Sequence, residues 1–189
     1  MRFIAFDFET GGLEKECSPL TACFIVFNHK FTKLGELDLQ IKPNNGGTYK
    51  VTAQALDVNG IDLVKHDEEA IPLDEAKKKL FSFLRDMSED GRYKLTPFGQ
   101  NITFDRDFVF EHFMSKGNWN KFCSYHVLDT ASLAVFFKLL GIMPVEQKTR
   151  LGLLAEYFGV STGQMHTARE DTEVCIKILL KMLKTIKEY

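Results

Sequence analysis

The sequence predicts a mixed-sheet α/β domain, and three observations carry that prediction. Three β-rich apolar runs precede a loop at Pro43-Asn44-Asn45-Gly46-Gly47. The apolar period then becomes helical over residues 73–87. Beyond it, short strand-like and helical stretches alternate, giving the order βββαβαβααα, in which helices pack on a sheet. A roughly five-stranded mixed sheet flanked by helices is expected, in one domain over residues 1–189, a length that suits one hydrophobic core.

The first strand is expected at residues 2–9, ended by Thr10-Gly11-Gly12, and the second at 20–28. A third, at 31–41, shows Leu37, Leu39 and Ile41 in alternation. Only a short connection around Asn28-His29-Lys30 separates the last two, which predicts an antiparallel hairpin. Over 73–87, Ala76, Leu80, Phe83, Leu84 and Met87 share one helical face. Residues 94–98 read as a short strand, 103–115 as a helix, 123–128 as a strand and 130–140 as a helix. Pro144 marks a break, and helices follow at 149–158 and 168–186.

A formal net charge of −2 and a pI of about 6.2 exclude a protein that holds nucleic acid by bulk positive charge. The longest basic run, Lys77-Lys78-Lys79, lies within a helical pattern and reads as a solvated face. Cys17, Cys23, Cys123 and Cys175 form no CxxC pair, which argues against a structural zinc site. The N-terminus lacks the pattern of a secretory signal, and no apolar run approaches the ~20 residues of a membrane span. A soluble, cytoplasmic protein in a reducing compartment is expected.

The chemistry lies in acids at the ends of these elements. In Phe6-Asp7-Phe8-Glu9-Thr10, Asp7 and Glu9 are two apart on a strand, so both project from one face about 6.5 Å apart, beside Phe3 and Ala5. Two carboxylates crowded together repel unless something positive sits between them, although the pair alone equally reads as two solvated acids at a strand end. In the last helix Asp171, Cys175, Ile178 and Met182 fall on one apolar stripe, which puts Asp171 at the head of the inward face. A carboxylate there is costly unless paired or metal-bound; the alternatives are a helix cap or an ion pair with Arg169 or a more distant base. Asp105 follows Gly99-Gln100-Asn101 in a helix's first turn, at the carboxyl edge of the sheet where active sites of open α/β folds collect. His166 lies five residues before Asp171 on a Gly-containing approach, and imidazole titrates close enough to neutrality to serve as a general base. His29, His66, His112 and His126 read as structural or exposed.

Three ordered segments carry a resemblance: Phe6-Asp7-Phe8-Glu9-Thr10-Gly11-Gly12-Leu13, Gly99-Gln100-Asn101-Ile102-Thr103-Phe104-Asp105, and His166-Thr167-Ala168-Arg169-Glu170-Asp171. Together they resemble the DEDDh branch of the DnaQ-like 3′→5′ exonucleases, the group of the polymerase III proofreading subunit, RNase T and oligoribonuclease. Leu128-Asp129-Thr130 fits the family's usual Asp-Thr position, and Asn59-Gly60-Ile61 resembles its His-Gly-Ile segment. Gly11 stands where many relatives have a second Thr, Asn59 replaces the frequent His, and Ala22 falls where relatives often carry an acid or amide.

The resemblance implies an RNase H-like fold and two-metal phosphodiester hydrolysis with Mg²⁺ or Mn²⁺. Asp7 would bridge the two ions, Glu9 and Asp171 would complete the first site, Asp105 would serve the second, and His166 would deprotonate the attacking water. Thr10, Gly11, Leu13, Asn59, Ile61, Asn101 and Phe104 would surround the 3′-terminal nucleotide. The implied substrate is a 3′ end of DNA, single-stranded or frayed, with release of nucleoside 5′-monophosphates; an exoribonuclease of the RNase T or oligoribonuclease kind is second. A polymerase or replication and repair complex would then be a partner in trans. A catalytically silent nucleic-acid-binding adaptor and an RNase H-type endonuclease are the readings from other classes.

Overall fold

In the structure, a computed structural model, residues 1–163 and 166–188 are described. The first three strands, β1 (Arg2–Thr10), β2 (Pro19–Asn28) and β3 (Lys33–Lys42), form an antiparallel meander. To this are added the two-residue β4 (Ile71–Pro72), then β5 (Leu95–Gly99) and the two-residue β6 (Leu128–Asp129). The sheet order is β4-β3-β2-β1-β5-β6, with β5 parallel to β1, β6 parallel to β5, and β4 parallel to β3. Among the described residues six strands thus replace the five expected, the extra one being β4.

Period 2 along β1 decides which layer each residue meets. Ile4, Phe6 and Phe8 point to one face, where they pack with Leu80 and Leu84 of α3 (Leu73–Met87) and with Val109, Phe113 and Trp119. Phe3, Ala5, Asp7 and Glu9 point to the other. There Ala5 joins Phe98, Cys175 and Leu179 beneath the long helix α8 (Ala168–Glu188). The stripe expected on this last helix is the one it buries: Asp171, Cys175, Ile178 and Met182 all face inward. A further cluster joins it to α6 (Thr130–Leu139) and α7 (Leu151–Tyr157) through Ala134, Phe137, Leu154, Val174 and Ile178.

Several expected boundaries move, each for a local reason. The helix expected over 103–115 is α4 (Thr103–Phe108) continued by a π turn, Val109–Phe113. Met114 then turns extended, and Ser115 caps a separate α5 (Lys116–Phe122). The strand expected over 123–128 shrinks to a single Leu95↔Cys123 bridge and β6. Between the two lies Pro97, whose backbone faces the same side as the Leu95 carbonyl that accepts the Ser124 amide at 2.8 Å; proline has no N–H to continue the ladder. The helices α1 (Ala53–Asn59) and α2 (Leu63–Glu69) have no counterpart in the expected order. The first buries no residue and the second only His66, so neither carries an apolar stripe by which a helical period is recognised.

Candidate active site

Three of the expected acids meet. Asp7 and Glu9 come from the α8-facing side of β1, and Asp171 comes down from the first turn of α8; one carboxylate oxygen from each lies within 4.8 Å of the others. Their electrostatics follow from that crowding. Burial pushes the Asp7 carboxyl well above the ordinary carboxylate range, and the charges of Asp105, Glu9 and Asp171 push it further. Glu9 is pushed up to about 7, by burial first and then by Asp171. Asp171 is raised by burial, against the opposing pull of the His166 backbone N–H, which donates to its carboxylate, and of the His166 charge. The Asp171 Oδ1 atom is buried with no hydrogen-bond partner among the described residues. Arg169, the nearby base that the sequence offered as a partner for Asp171, pairs instead with Glu36 and Asp38.

Asp105 occupies the first turn of α4, buried beside this cluster and outside the group of three. Its Oδ1 accepts the Phe8 amide of β1 at 3.0 Å. Burial raises its pKa, against the lowering effect of the Phe8 N–H and its own. A second acid, Asp129, fixes the loop leading into α4: one oxygen accepts the Ile102 N–H at 2.9 Å, and the other caps α6 by accepting the Ser132 N–H at 2.9 Å. His166 stands exposed just ahead of α8 with a left-handed φ of 68°, a backbone state that non-glycine residues hold only at a cost. The approach residues Gln164 and Met165 lie outside the described residues.

This donor set fits a divalent cation. Three crowded carboxylates, one with a buried oxygen unpaired among the described residues, are stabilised either by protons or by positive charge. All the donors are hard oxygens, which suits Mg²⁺ or Mn²⁺.

Beside Glu9 opens a cavity of about 270 Å³, lined by Thr10, Gly12, Leu13, Asn59 and Phe104 together with Thr52 and others of α1. Thr10 Oγ1 donates to the Gly12 carbonyl at 2.7 Å, and Asn59 Nδ2 donates to the Thr10 carbonyl at 3.3 Å. Asn59 thus takes up backbone groups of both flanking segments, since its Oδ1 also accepts the Ile61 N–H at 3.0 Å. Four of the seven expected substrate residues therefore gather here. The other three lie elsewhere. Gly11 is buried behind the wall, where an added Cβ would come within 2.2 Å of the Lys50 carbonyl oxygen; close approach of two backbones accounts for this glycine. Ile61 lines a separate groove of about 960 Å³ with Gln40, Lys65 and Arg169. Asn101 is exposed with a φ of 52°, and its carbonyl accepts the Phe104 N–H at 2.9 Å, so it shapes the turn into α4.

Of the wall formed by α1 and its cap, the sequence pointed to Asn59 but not to Thr52 or Val58. A signal for it was present: Thr52 caps α1 by accepting the Ala55 N–H, and Gly60 closes it with a φ of 67°.

The exonuclease family described for RNase T matches residues 4–179. The chain belongs to that family. It is 30% identical over 138 residues to a Ribonuclease T of Marinobacter nauticus, covering 69% of this chain and 62% of that protein. Its fold resembles that of E. coli exonuclease I in complex with a dT13 oligonucleotide, with a TM-score of 0.74, 17% identity, and 97% of this chain against 41% of that one. A moderately thermophilic exonuclease I from Methylocaldum szegediense matches with a TM-score of 0.73, 17% identity, and coverage of 97% and 40%. The chain spans about two fifths of the exonuclease I chains and under two thirds of the Ribonuclease T. Divalent-metal dependence is the rule in this family, and the acidic cluster of Asp7, Glu9 and Asp171 is in keeping with it.

Proposed function

We propose that this exonuclease removes nucleotides from the 3′ end of single-stranded nucleic acid as one domain, residues 1–189. The observation that carries the reading is the meeting of Asp7, Glu9 and Asp171, of which Glu9 also lines the cavity formed by Thr10, Leu13, Asn59 and Phe104. Asp7, Glu9 and Asp171 would hold one divalent ion, with Asp105 contributing toward a second. Such ions, Mg²⁺ or Mn²⁺, stabilise the attacking and leaving oxygens of an in-line displacement. Phe104 and Leu13 offer apolar surfaces to the terminal base and sugar. Asn59 holds the Thr10 segment against them by its hydrogen bond to the Thr10 carbonyl. His166, exposed beside the cluster and tied to Asp171 through its backbone, takes the proton from the attacking water.

DNA is the first substrate assigned, on the proofreading-type motif at residues 6–13, and the exonuclease I fold seen with an oligonucleotide supports it. RNA is the second, supported by the Ribonuclease T relative. The two differ in whether the cavity accepts a 2′-OH. Parallel digestion of labelled single-stranded DNA and RNA of one sequence in Mg²⁺, with a circular strand as control, tests all of this. The expected result is stepwise shortening from the 3′ end that is lost in Asp7→Ala. Wild-type degradation by Asp7→Ala, or cutting of the circle, overturns the reading.

A further inference from the structure

We propose that Arg169, clamped by Glu36 and Asp38 of β3, is a positioning residue that sets Asp171 over Asp7 and Glu9. The inference rests on the metal-dependent reading above. Arg169, Glu170 and Asp171 are consecutive in the first turn of α8, so their side chains leave the axis about 100° apart. Each is tied to a different part of the molecule. Arg169 forks to Glu36 and Asp38, Glu170 accepts the Gly163 N–H at 2.8 Å, and Asp171 enters the carboxylate cluster.

The strand register shows why the clamp matters to the site. Asp38 lies opposite Cys23 of β2, and Cys23 lies opposite Asp7 of β1. The carboxylate that grips Arg169 and the carboxylate that Asp171 approaches therefore stand in one lateral row, about 10 Å apart across two strand spacings. Arg169 and Asp171, two residues apart on one turn, are fixed at the two ends of that row. Apolar packing alone holds this turn lightly. Its only fully buried apolar side chain is Ala168, set against Cys23 and Ile25. Arg169 and Asp38 are too exposed for the clamp to contribute much to global stability. Partners that orient a ligand carboxylate nonetheless act strongly on metal affinity.

The rival role for Arg169 is direct contact with substrate phosphates, because it also walls the groove that contains Ile61. R169A, R169K and the double variant E36Q/D38N separate the two. Mn²⁺ binding is measured calorimetrically without nucleic acid, kcat and KM are measured on a single-stranded oligonucleotide, and the metal-free Tm monitors the fold. The clamp predicts that R169A and E36Q/D38N each weaken Mn²⁺ binding about 10-fold. The triple variant should be no worse than either, because the two changes remove one interaction. R169K should fall between, since a lysine lacks the guanidinium fork, and kcat should fall while KM stays near wild type. Wild-type Mn²⁺ affinity in E36Q/D38N, or an R169A effect confined to KM, overturns the clamp. Should R169A fail to fold, R169K and E36Q/D38N carry the comparison. A protein that binds Mn²⁺ in a clamp-dependent way yet shortens neither DNA nor RNA overturns the exonuclease reading and leaves the clamp standing.

Discussion

At the level of single residues, the site is an unneutralised group of acids, and the proposed proton acceptor, His166, stands outside the crowd. His166 is exposed and off the buried stripe, so His166→Ala should reduce the rate about 10²- to 10⁴-fold while thermal melting stays near wild type; a rate within a few-fold of wild type would remove its assigned role. Asp171 presents the opposite case. Its buried Oδ1 has no partner among the described residues, and its charge raises the pKa of Glu9. Asp171→Asn should therefore raise the metal-free Tm at pH 8 and abolish the stabilisation given by Mg²⁺. A lower metal-free Tm would mean that this carboxylate is satisfied in a way its geometry does not reveal. The three clustered acids were legible from sequence because each signal is local: alternation along one strand for Asp7 and Glu9, and one helical stripe headed by an acid for Asp171. The pairing of Arg169 with Glu36 and Asp38 was not, since its partners lie some 130 residues away and only the assembled sheet brings them together.

At the level of elements, the cavity wall depends on a helix that the core does not hold. The α1 helix buries none of its residues, so its cap at Thr52 and its left-handed close at Gly60 must define it. Thr52→Ala should cost about 1 kcal/mol of local stability and raise KM more than it lowers kcat, as read by hydrogen exchange of the α1 amides and steady-state kinetics. An unchanged KM would separate this wall from substrate. The same weakness explains why α1 and α2 escaped the sequence reading while α3 was placed to the residue. Ala76, Leu80 and Leu84 of α3 pack into the core and print their period on the sequence; helices that bury at most one residue print none. The single helix expected over 103–115 failed differently. Its apolar pattern continues through Phe108, Val109 and Phe113, and the π turn that shifts the register leaves those residues buried.

For the whole molecule, the carboxylate cluster couples folding to pH and to metal. Glu9 titrates near 4.5 when unfolded and near 7 when folded, and Asp7 and Asp171 shift in the same direction. The folded protein therefore holds more protons than the unfolded chain across that interval, and stability must fall as pH rises through it. Metal-free protein should be most stable below about pH 4.5 as far as these groups are concerned, and should lose that contribution by the time pH passes 7. Divalent ion should restore stability above pH 7 and do little near pH 5, where protons occupy its place. Thermal melts at pH 5, 6, 7 and 8 with and without Mg²⁺ check this, and a metal effect that does not grow with pH would exclude these acids as the ligands. No helix among the described residues is long and apolar enough to cross a membrane.

The alternation along β1 has a consequence for how this gene can change. One nine-residue strand carries two interleaved messages: Ile4, Phe6 and Phe8 for the layer beneath it, and Phe3, Ala5, Asp7 and Glu9 for the layer above. Substitution can edit either message alone, but insertion or deletion of one residue in the strand exchanges them, driving two acids among phenylalanines and lifting the phenylalanines into the site. Length in this segment is thus constrained more tightly than identity. Natural drift here should be read in replaced letters, with gaps tolerated only beyond Thr10.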